Sequence, residues 1–429
     1  MDLSMRINPR NGALAVTLAI LALGACDTNK LLDVKAPNAV PVELFSDPKN
    51  ATLMVNSAIA DFECAAGAAI LVEGVISDDL ADAQLGAAQW PYDRRDANTQ
   101  TNGIYGTSPC NSSQGPGIYT PLSTARWDAD TAIAKLTAWT DAQVPNRTTL
   151  LTQMNFYSGF SYALLGMSMC KAAFDLGSPV DQKGMFALAE LRFSAAITSA
   201  TTLGLTNIVN AALVGRARVR LYQGNLAGAI TDAQLVPAGF VYNIAADASD
   251  ARRYNKIYNS LQQTGNYTVE ALSLNLKTEK GEVDPRAAVN VTATRPADSK
   301  SVISIPKKFA GGLATPTPLA RYEEAQLILA EAQGGANAVT IINTMRAAVP
   351  LQPYTGATDA ASIKNLIIDE RRRVLFAEGQ RNYDIQRFAI PFNPAENTPY
   401  SRVGGVYGTT TCLPLPDVER LNNPNASGG

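Results

Sequence analysis

Three groups of side chains in this sequence have the types and spacing to do chemistry. Asp78, Asp79 and Asp82 cluster three carboxylates, a set that could ligate calcium or serve glycoside hydrolysis given a second carboxyl about 5–9.5 Å away. Trp90, Tyr92, Tyr105 and Tyr119 lie in or beside a stretch, 85–121, rich in Gly, Pro, Ser, Asn and Asp. They read as ring faces for a bound sugar. Glu370 is of another kind. At about 100° per residue it shares a helical face with Ile363, Leu366, Ile367, Val374 and Ala377, which puts its carboxylate inside the core. A buried carboxylate needs a counter-charge. Arg381 and Arg387, just downstream, are the expected partners, so Glu370 reads as a structural ion pair rather than a catalytic acid. The 429 residues include no histidine. Ser-His-Asp and Cys-His catalysis and histidine-ligated zinc or iron are therefore excluded. No G-x-S-x-G, P-loop or dinucleotide fingerprint occurs, and the sequence implies no cofactor. With 36 basic against 38 acidic residues, a dedicated nucleic-acid function is excluded as well.

The N-terminus reads as an export signal. Arg6 and Arg10 precede an apolar run from Ala13 to Leu23, broken by Thr17, and then Leu23-Gly24-Ala25-Cys26. The run falls short of the ~20 residues that span a bilayer but suits a signal peptide. The box before Cys26 resembles a bacterial lipobox. The expectation is a lipoprotein signal peptide over 1–25, lipidation at Cys26, and an extended tether over 26–48 punctuated by Pro37, Pro41 and Pro48. Cys64, Cys110, Cys170 and Cys412 remain, with no C-x-x-C, and in an oxidising compartment they read as structural disulfides. Three pairings are open, and Cys64–Cys110 with Cys170–Cys412 is favoured.

The elements that must position these groups are mainly α-helical. A helical stripe begins after Asn50, and a helix resumes near Leu122 and runs through Trp127, Ile133 and Leu136. Residues 211–234 read as two antiparallel helices about a turn at Gly224, with Gly215 and Ala229 allowing close approach. An earlier pair, 162–173 and 193–200, is related: Ala196-Ile197 and Ala229-Ile230 lie close to the ~34-residue tetratricopeptide period apart. Residues 240–317 lose the helical period and read as irregular structure with short hairpins, including stretches 271–276 and 302–305. Helices return at 318–333, 338–347 and 362–379.

Several C-terminal segments resemble the SusD/RagB family of nutrient-uptake lipoproteins. They are Arg321-Tyr322-Glu323-Glu324 with Leu329-Ala330-Glu331-Ala332, Ile342-Asn343-Thr344-Met345-Arg346, and Asp369-Glu370-Arg371-Arg372-Arg373 through Phe376-Ala377-Glu378-Gly379-Gln380-Arg381. Asn382–Phe388, Leu413-Pro414-Leu415-Pro416 with Glu419 and Asn423-Pro424, and Asp284-Pro285-Arg286 also fit. Leu31–Val34 and Ser77-Asp78-Asp79 fit upstream. The family glutamate after the arginine run is replaced by Val374 or Leu375, and its histidine near Gln380 is absent. The resemblance implies one large SusD-like α-helical domain over 49–429. Within it stand a body of tetratricopeptide-like helix pairs at about 122–236, an irregular excursion at about 240–317 and a C-terminal helical block at about 318–429. It also implies a surface lipoprotein of the outer membrane that binds an oligosaccharide or peptide without cleaving it. Its partner would be a SusC/RagA-like TonB-dependent transporter.

A surface-tethered hydrolase and a tetratricopeptide-type adaptor are the competing readings. A copurifying barrel supports capture, turnover of a labelled glycan supports the hydrolase, and neither supports the adaptor. The lipid anchor is tested directly. Cys26→Ser is expected to accumulate unprocessed precursor or to release the protein from membranes, and fractionation identical to the wild type would refute lipidation.

Overall fold

The computed structural model describes residues 42–84, 90–98, 103–112, 115–400 and 404–426; Cys26 and the segment before it lie outside them. The chain divides after Asp47. On the short side, Val42–Ser46 form a 3-10 turn. Residues 48–429 form the second unit, which carries all the features below.

Helix α1 (Ala51–Ile76) starts amphipathic, burying Ala51, Met54, Val55 and Ala58, and from Phe62 onward is buried on all sides apart from Gly67. A helix buried on all sides belongs in the interior of the fold, and here it takes Glu63 and Glu73 in with its apolar residues. After it come α2 (Tyr119–Ala138) and α3 (Arg147–Ser168), which pack on it, and then α4 (Gln182–Leu203), α5 (Thr206–Tyr222) and α6 (Leu226–Ala233). Each packs against the next in sequence, as antiparallel helices on short connections must. Asp181 caps α4 by accepting the Gly184 N–H at 2.8 Å, and Gly204, at φ +68°, ends it. Helices α3 with α4 and α5 with α6 form successive pairs, and Ala196 and Ala229 are both fully buried, but Ala196 stands deep in the 22-residue α4 while Ala229 lies in the first turn of the 8-residue α6. Phe193 of α4 is wedged between α3 and α5. A Cβ on Gly159 or Gly215 would lie 2.7 or 2.6 Å from its ring, so the close packing depends on glycine at both positions.

The excursion after α6 is closed at its base by antiparallel strands 241–244 and 317–321. For that reason the next helix, α7 (Tyr322–Gln333), starts four residues later than the periodicity indicates. The stretch at 271–276 is not a strand but contains a 3-10 turn at Ala271–Ser273, while 304–306 does pair, with 289–291. After α8 (Gly335–Ala347) comes α9 (Ala360–Val374), capped by Asp359 and ending well before residue 379. Ala377 and Gly379 take left-handed backbones (φ +55° and +75°), which no helix continues. A short α10 (Arg381–Phe388) follows. Disulfides join Cys64 to Cys110 and Cys170 to Cys412.

Glu370 is fully buried, but its partners are neither Arg381 nor Arg387. Arg346 of α8 donates Nε and Nη2 to its Oε1 at 2.9 and 2.7 Å, and Arg373 donates Nη2 at 3.0 Å. Arg286 forms an ion pair to Oε2 at 2.9 Å. Arg381 instead clasps Asp78 at 2.7 and 3.1 Å. Arg387 holds Asp384 at 2.8 Å and Glu331 at 2.9 Å. The correction has a geometric cause. The chain reverses after Val374, so Arg381 and Arg387 are carried away from the face on which Glu370 lies, toward the end of α1 and toward α7.

Removing one member of a buried ion network strands the others, at a typical cost of about 3–5 kcal/mol. Glu370→Ala leaves three guanidinium groups short of a counter-charge and is expected to lower the urea midpoint accordingly. An unchanged midpoint would remove Glu370 from the core.

Candidate functional site

None of the aromatic candidates whose side chains are described lines the cleft between α7, α8 and the end of α9, although Tyr119 borders a smaller groove beside α2. Tyr92 and Tyr105 are wholly buried and Tyr119 is 2% exposed. Tyr92, Tyr105 and Tyr119 belong to the same core cluster as the buried residues of α1: the Tyr92 hydroxyl donates to the Pro116 carbonyl at 2.9 Å, and that of Tyr119 donates to the Ala173 carbonyl at 3.2 Å. A tyrosine with its ring buried and its hydroxyl satisfied by backbone is a packing residue, not a stacking platform. The side chain of Trp90 lies outside the described residues.

The acidic trio is dispersed as well. Asp78 is neutralised by Arg381. Burial works against its charge, but the guanidinium outweighs burial and holds the carboxyl below its usual range. Asp79 is wholly buried, and its Oδ2 accepts the Ala377 N–H at 2.9 Å. Burial first, and then the Asp78 charge, push it up to about 6. Asp82 Oδ1 accepts the Gln84 N–H at 2.8 Å. Among the described residues no group of three metal-binding side chains is arranged to hold an ion. Close by, Glu73 near the end of α1 accepts from Asn382 Nδ2 at 2.8 Å, and burial raises it to about 7.

The concavity with the makings of a binding site lies elsewhere, a cleft of about 570 Å³ where 241–244, 317–321, α7, α8 and the end of α9 meet. Val241, Pro318, Tyr322, Met345 and Val374 make apolar walls, while Glu323, Gln326 and Thr344 add polar groups. Arg286, Lys308, Arg321 and Glu378 line it too. Arg321 bonds both Glu378 oxygens, at 3.1 and 3.0 Å, and Glu323 at 3.1 Å, while Lys308 Nζ donates to Glu378 at 2.6 Å. Burial disfavours the Glu378 charge, but Arg321 and Lys308 prevail and hold its carboxyl below the ordinary range. The cleft therefore presents one aromatic wall and a fixed lattice of charges, with enough volume for a small sugar unit.

Sequence reasoning missed this cleft although it quoted several of its residues, because Arg321-Tyr322-Glu323 and Glu378 entered only as motif letters. The one available signal was the charge alternation around Tyr322 at a helix start. What joins Tyr322 to Lys308, Glu378 and Met345 is tertiary.

The fold agrees with the resemblance read from the sequence, and a family model agrees over part of the chain. The SusD family model matches residues 242–412. No curated protein matches the chain. Among solved structures, a SusD-like carbohydrate-binding protein from Bacteroides vulgatus is 17% identical at a TM-score of 0.65, covering 89% of this chain and 97% of its own. A SusD-superfamily protein from Bacteroides fragilis gives 16% identity and a TM-score of 0.65 over 90% of this chain and 100% of its own. A laminarin-binding SusD-like protein is 16% identical at a TM-score of 0.63, over 88% of this chain and 98% of its own.

The buried carboxyls give the stability a pH dependence with a definite sign. Glu73 and Asp79 have folded-state pKa values above their ordinary 4.5 and 3.8, so folding holds their protons. Their favourable contribution is complete below about pH 4 and is lost as pH rises toward 7, by about 1.4 kcal/mol per pH unit for each carboxyl in that window. Asp78 and Glu378, held low, act in the opposite sense and lose their contribution in acid below that window. Glu73→Gln is expected to flatten the fall in melting temperature between pH 5 and 8. An unaltered slope would show that Glu73 titrates normally.

Proposed function

From a chain whose residues 242–412 are a SusD-family segment on the fold of SusD-superfamily proteins, we propose that the protein captures an oligosaccharide at the cell surface and delivers it uncleaved to a TonB-dependent transporter. The cleft carries this reading. Its tyrosine wall suits the apolar face of a sugar ring, and its fixed donors and acceptors suit the hydroxyls. A hydrolase needs two carboxyls free to act as acid and base across a substrate. In the cleft, Glu323 and Glu378 are instead bound by the same Arg321, which favours capture over cleavage. The carbohydrate-binding and laminarin-binding proteins of the same fold favour a glycan over a peptide as ligand.

A lipid on Cys26 in the outer membrane would complete the arrangement. A tether of roughly 20 residues reaches at most about 70 Å at ~3.3–3.6 Å per residue. At that range, handover to a neighbouring SusC/RagA-like barrel is effectively intramolecular.

Deleting the gene is expected to abolish growth on one oligosaccharide while sparing growth on its monomer, and a large barrel protein is expected to copurify from solubilised outer membranes. The purified full chain should bind that oligosaccharide in the micromolar range and leave it intact, and Tyr322→Ala should weaken binding about tenfold, or ~1.4 kcal/mol. Cleavage products, or the absence of any barrel partner, would overturn the proposal.

A further inference from the structure

Trp127 is misplaced on α2 by the logic that places every other large apolar residue there. With Leu122 as origin, the buried Ala125, Ala129, Ala132 and Leu136 fall in a sector of roughly 80°, and Trp127 lies roughly 180° from its centre. Its side chain is 47% exposed. Thr120, Ser123 and Thr124 precede it by seven, four and three residues and so share its face. Together they form one wall of a groove of about 370 Å³, separate in its lining from the cleft.

The opposite wall is built at some conformational cost. Asp175 and Leu176 both adopt left-handed backbones (φ +53° and +61°), which residues with side chains avoid unless the surroundings impose them. Here they are imposed. Asn425 Nδ2 donates to the Leu176 carbonyl and Asn423 Nδ2 to the Gly177 carbonyl, each at 2.8 Å. The buried Arg126 donates Nη1 to both Asp175 oxygens at 3.1 and 3.0 Å. The Asp175 side chain nonetheless remains 64% exposed. A fixed carboxylate thus shares a groove with an open indole and the hydroxyls of Thr120 and Thr124.

We propose that this groove is a second carbohydrate site, which takes one pyranose ring of a neutral oligosaccharide against Trp127 and holds its hydroxyls on Asp175 and Thr124. The inference rests on the carbohydrate reading above but uses none of the cleft residues. A pyranose presents an apolar C–H face and a rim of hydroxyls, which is the complement of an indole beside acceptor oxygens. The sugar is neutral because Arg126, the one cation lining the groove, is already paired with Asp175, which leaves the Glu419 carboxylate to disfavour an anionic ligand.

The test uses the purified full chain with maltohexaose, cellohexaose, laminarihexaose and mannohexaose, and trigalacturonate as the anionic comparison. Binding is read by calorimetry and by tryptophan fluorescence. At least one neutral hexasaccharide should bind and perturb the fluorescence. Trp127→Ala should weaken it tenfold or more, Trp127→Phe should restore affinity to within about threefold, and both should melt like the wild type because the ring is exposed. Tyr322→Ala should retain the Trp127-dependent fluorescence change. The proposal is overturned if no neutral hexasaccharide binds, or if Trp127→Ala binds as tightly as the wild type. A Trp127→Ala protein that keeps its glycan affinity but loses the copurifying barrel would assign the face to the protein partner and also overturns it. Loss of affinity in Tyr322→Ala alone would leave the cleft standing and remove the groove, and loss in Trp127→Ala alone would do the reverse.

Discussion

Burying arginine is the condition on which the C-terminal half of the structure depends, because each guanidinium taken out of water must meet a carboxylate or carbonyl. Helix α9 carries Arg371, Arg372 and Arg373 in succession, and about 100° per residue sends them in three directions. Arg371 reaches Asp384 at 2.7 Å, Arg372 reaches Asp78 at 3.3 Å, and Arg373 reaches Asp284 at 3.3 Å and Glu370 at 3.0 Å. One helix is thereby tied to α10, to the end of α1 and to the irregular excursion. Similarly, Arg218 and Glu324 join α5 to α7 through two bonds of 2.6 and 2.8 Å. Buried pairs of this kind add less net stability than their number implies, but each accepts only one partner geometry. They select one way of assembling helices that, being alanine-rich, would pack in many.

The turn between α9 and α10 links this network to the cleft. Ala377 gives its N–H to Asp79, and the next residue, Glu378, turns its carboxylate to Arg321 and Lys308. Gly379 then passes so close to α1 that a Cβ would stand 2.9 Å from the Ile70 Cα. Three consecutive residues thus fix a left-handed backbone, a cleft wall and a contact with the central helix. A cleft held in this way exists before any ligand arrives, which limits the ordering cost of binding. The groove at Trp127 is built on a different principle, with a strained loop pinned by two asparagine side chains from the C-terminal segment.

Much of the fold was legible in the sequence. The helix pairs about Gly224, the burial of Glu370, the irregular character of 240–317 and the family resemblance all follow from patterns spanning a few tens of residues. The pair read at 162–173 and 193–200 spans Arg147–Ser168 and Gln182–Leu203, while the misplaced ends at Tyr322 and Val374 are set by distant pairing and by a reversal of the chain. The candidate site fared worse. Tyr92, Tyr105 and Tyr119 have the side chains of a sugar platform, yet the segment carrying them closes onto α1, and their rings fill the core. Trp127 could have been found, because its angle on α2 opposes the apolar stripe, but an exposed aromatic is informative only once the buried stripe has been located.

What the sequence determined alone is therefore what periodicity and composition encode: mainly helical structure, the absence of histidine chemistry, and a carboxylate at 370 that has to be buried and paired. What only the tertiary structure decided is the identity of partners. Glu370 had arginines within reach along the chain, at Arg373, Arg381 and Arg387; it kept Arg373, three residues on, but took its other partners, Arg346 and Arg286, from remote segments. Four cysteines allowed three pairings, and one is formed. The physical reason is common to both. A helical period is a property of neighbouring residues, whereas the counter-charge of a buried group, or the openness of a ring, depends on which remote segment packs against it.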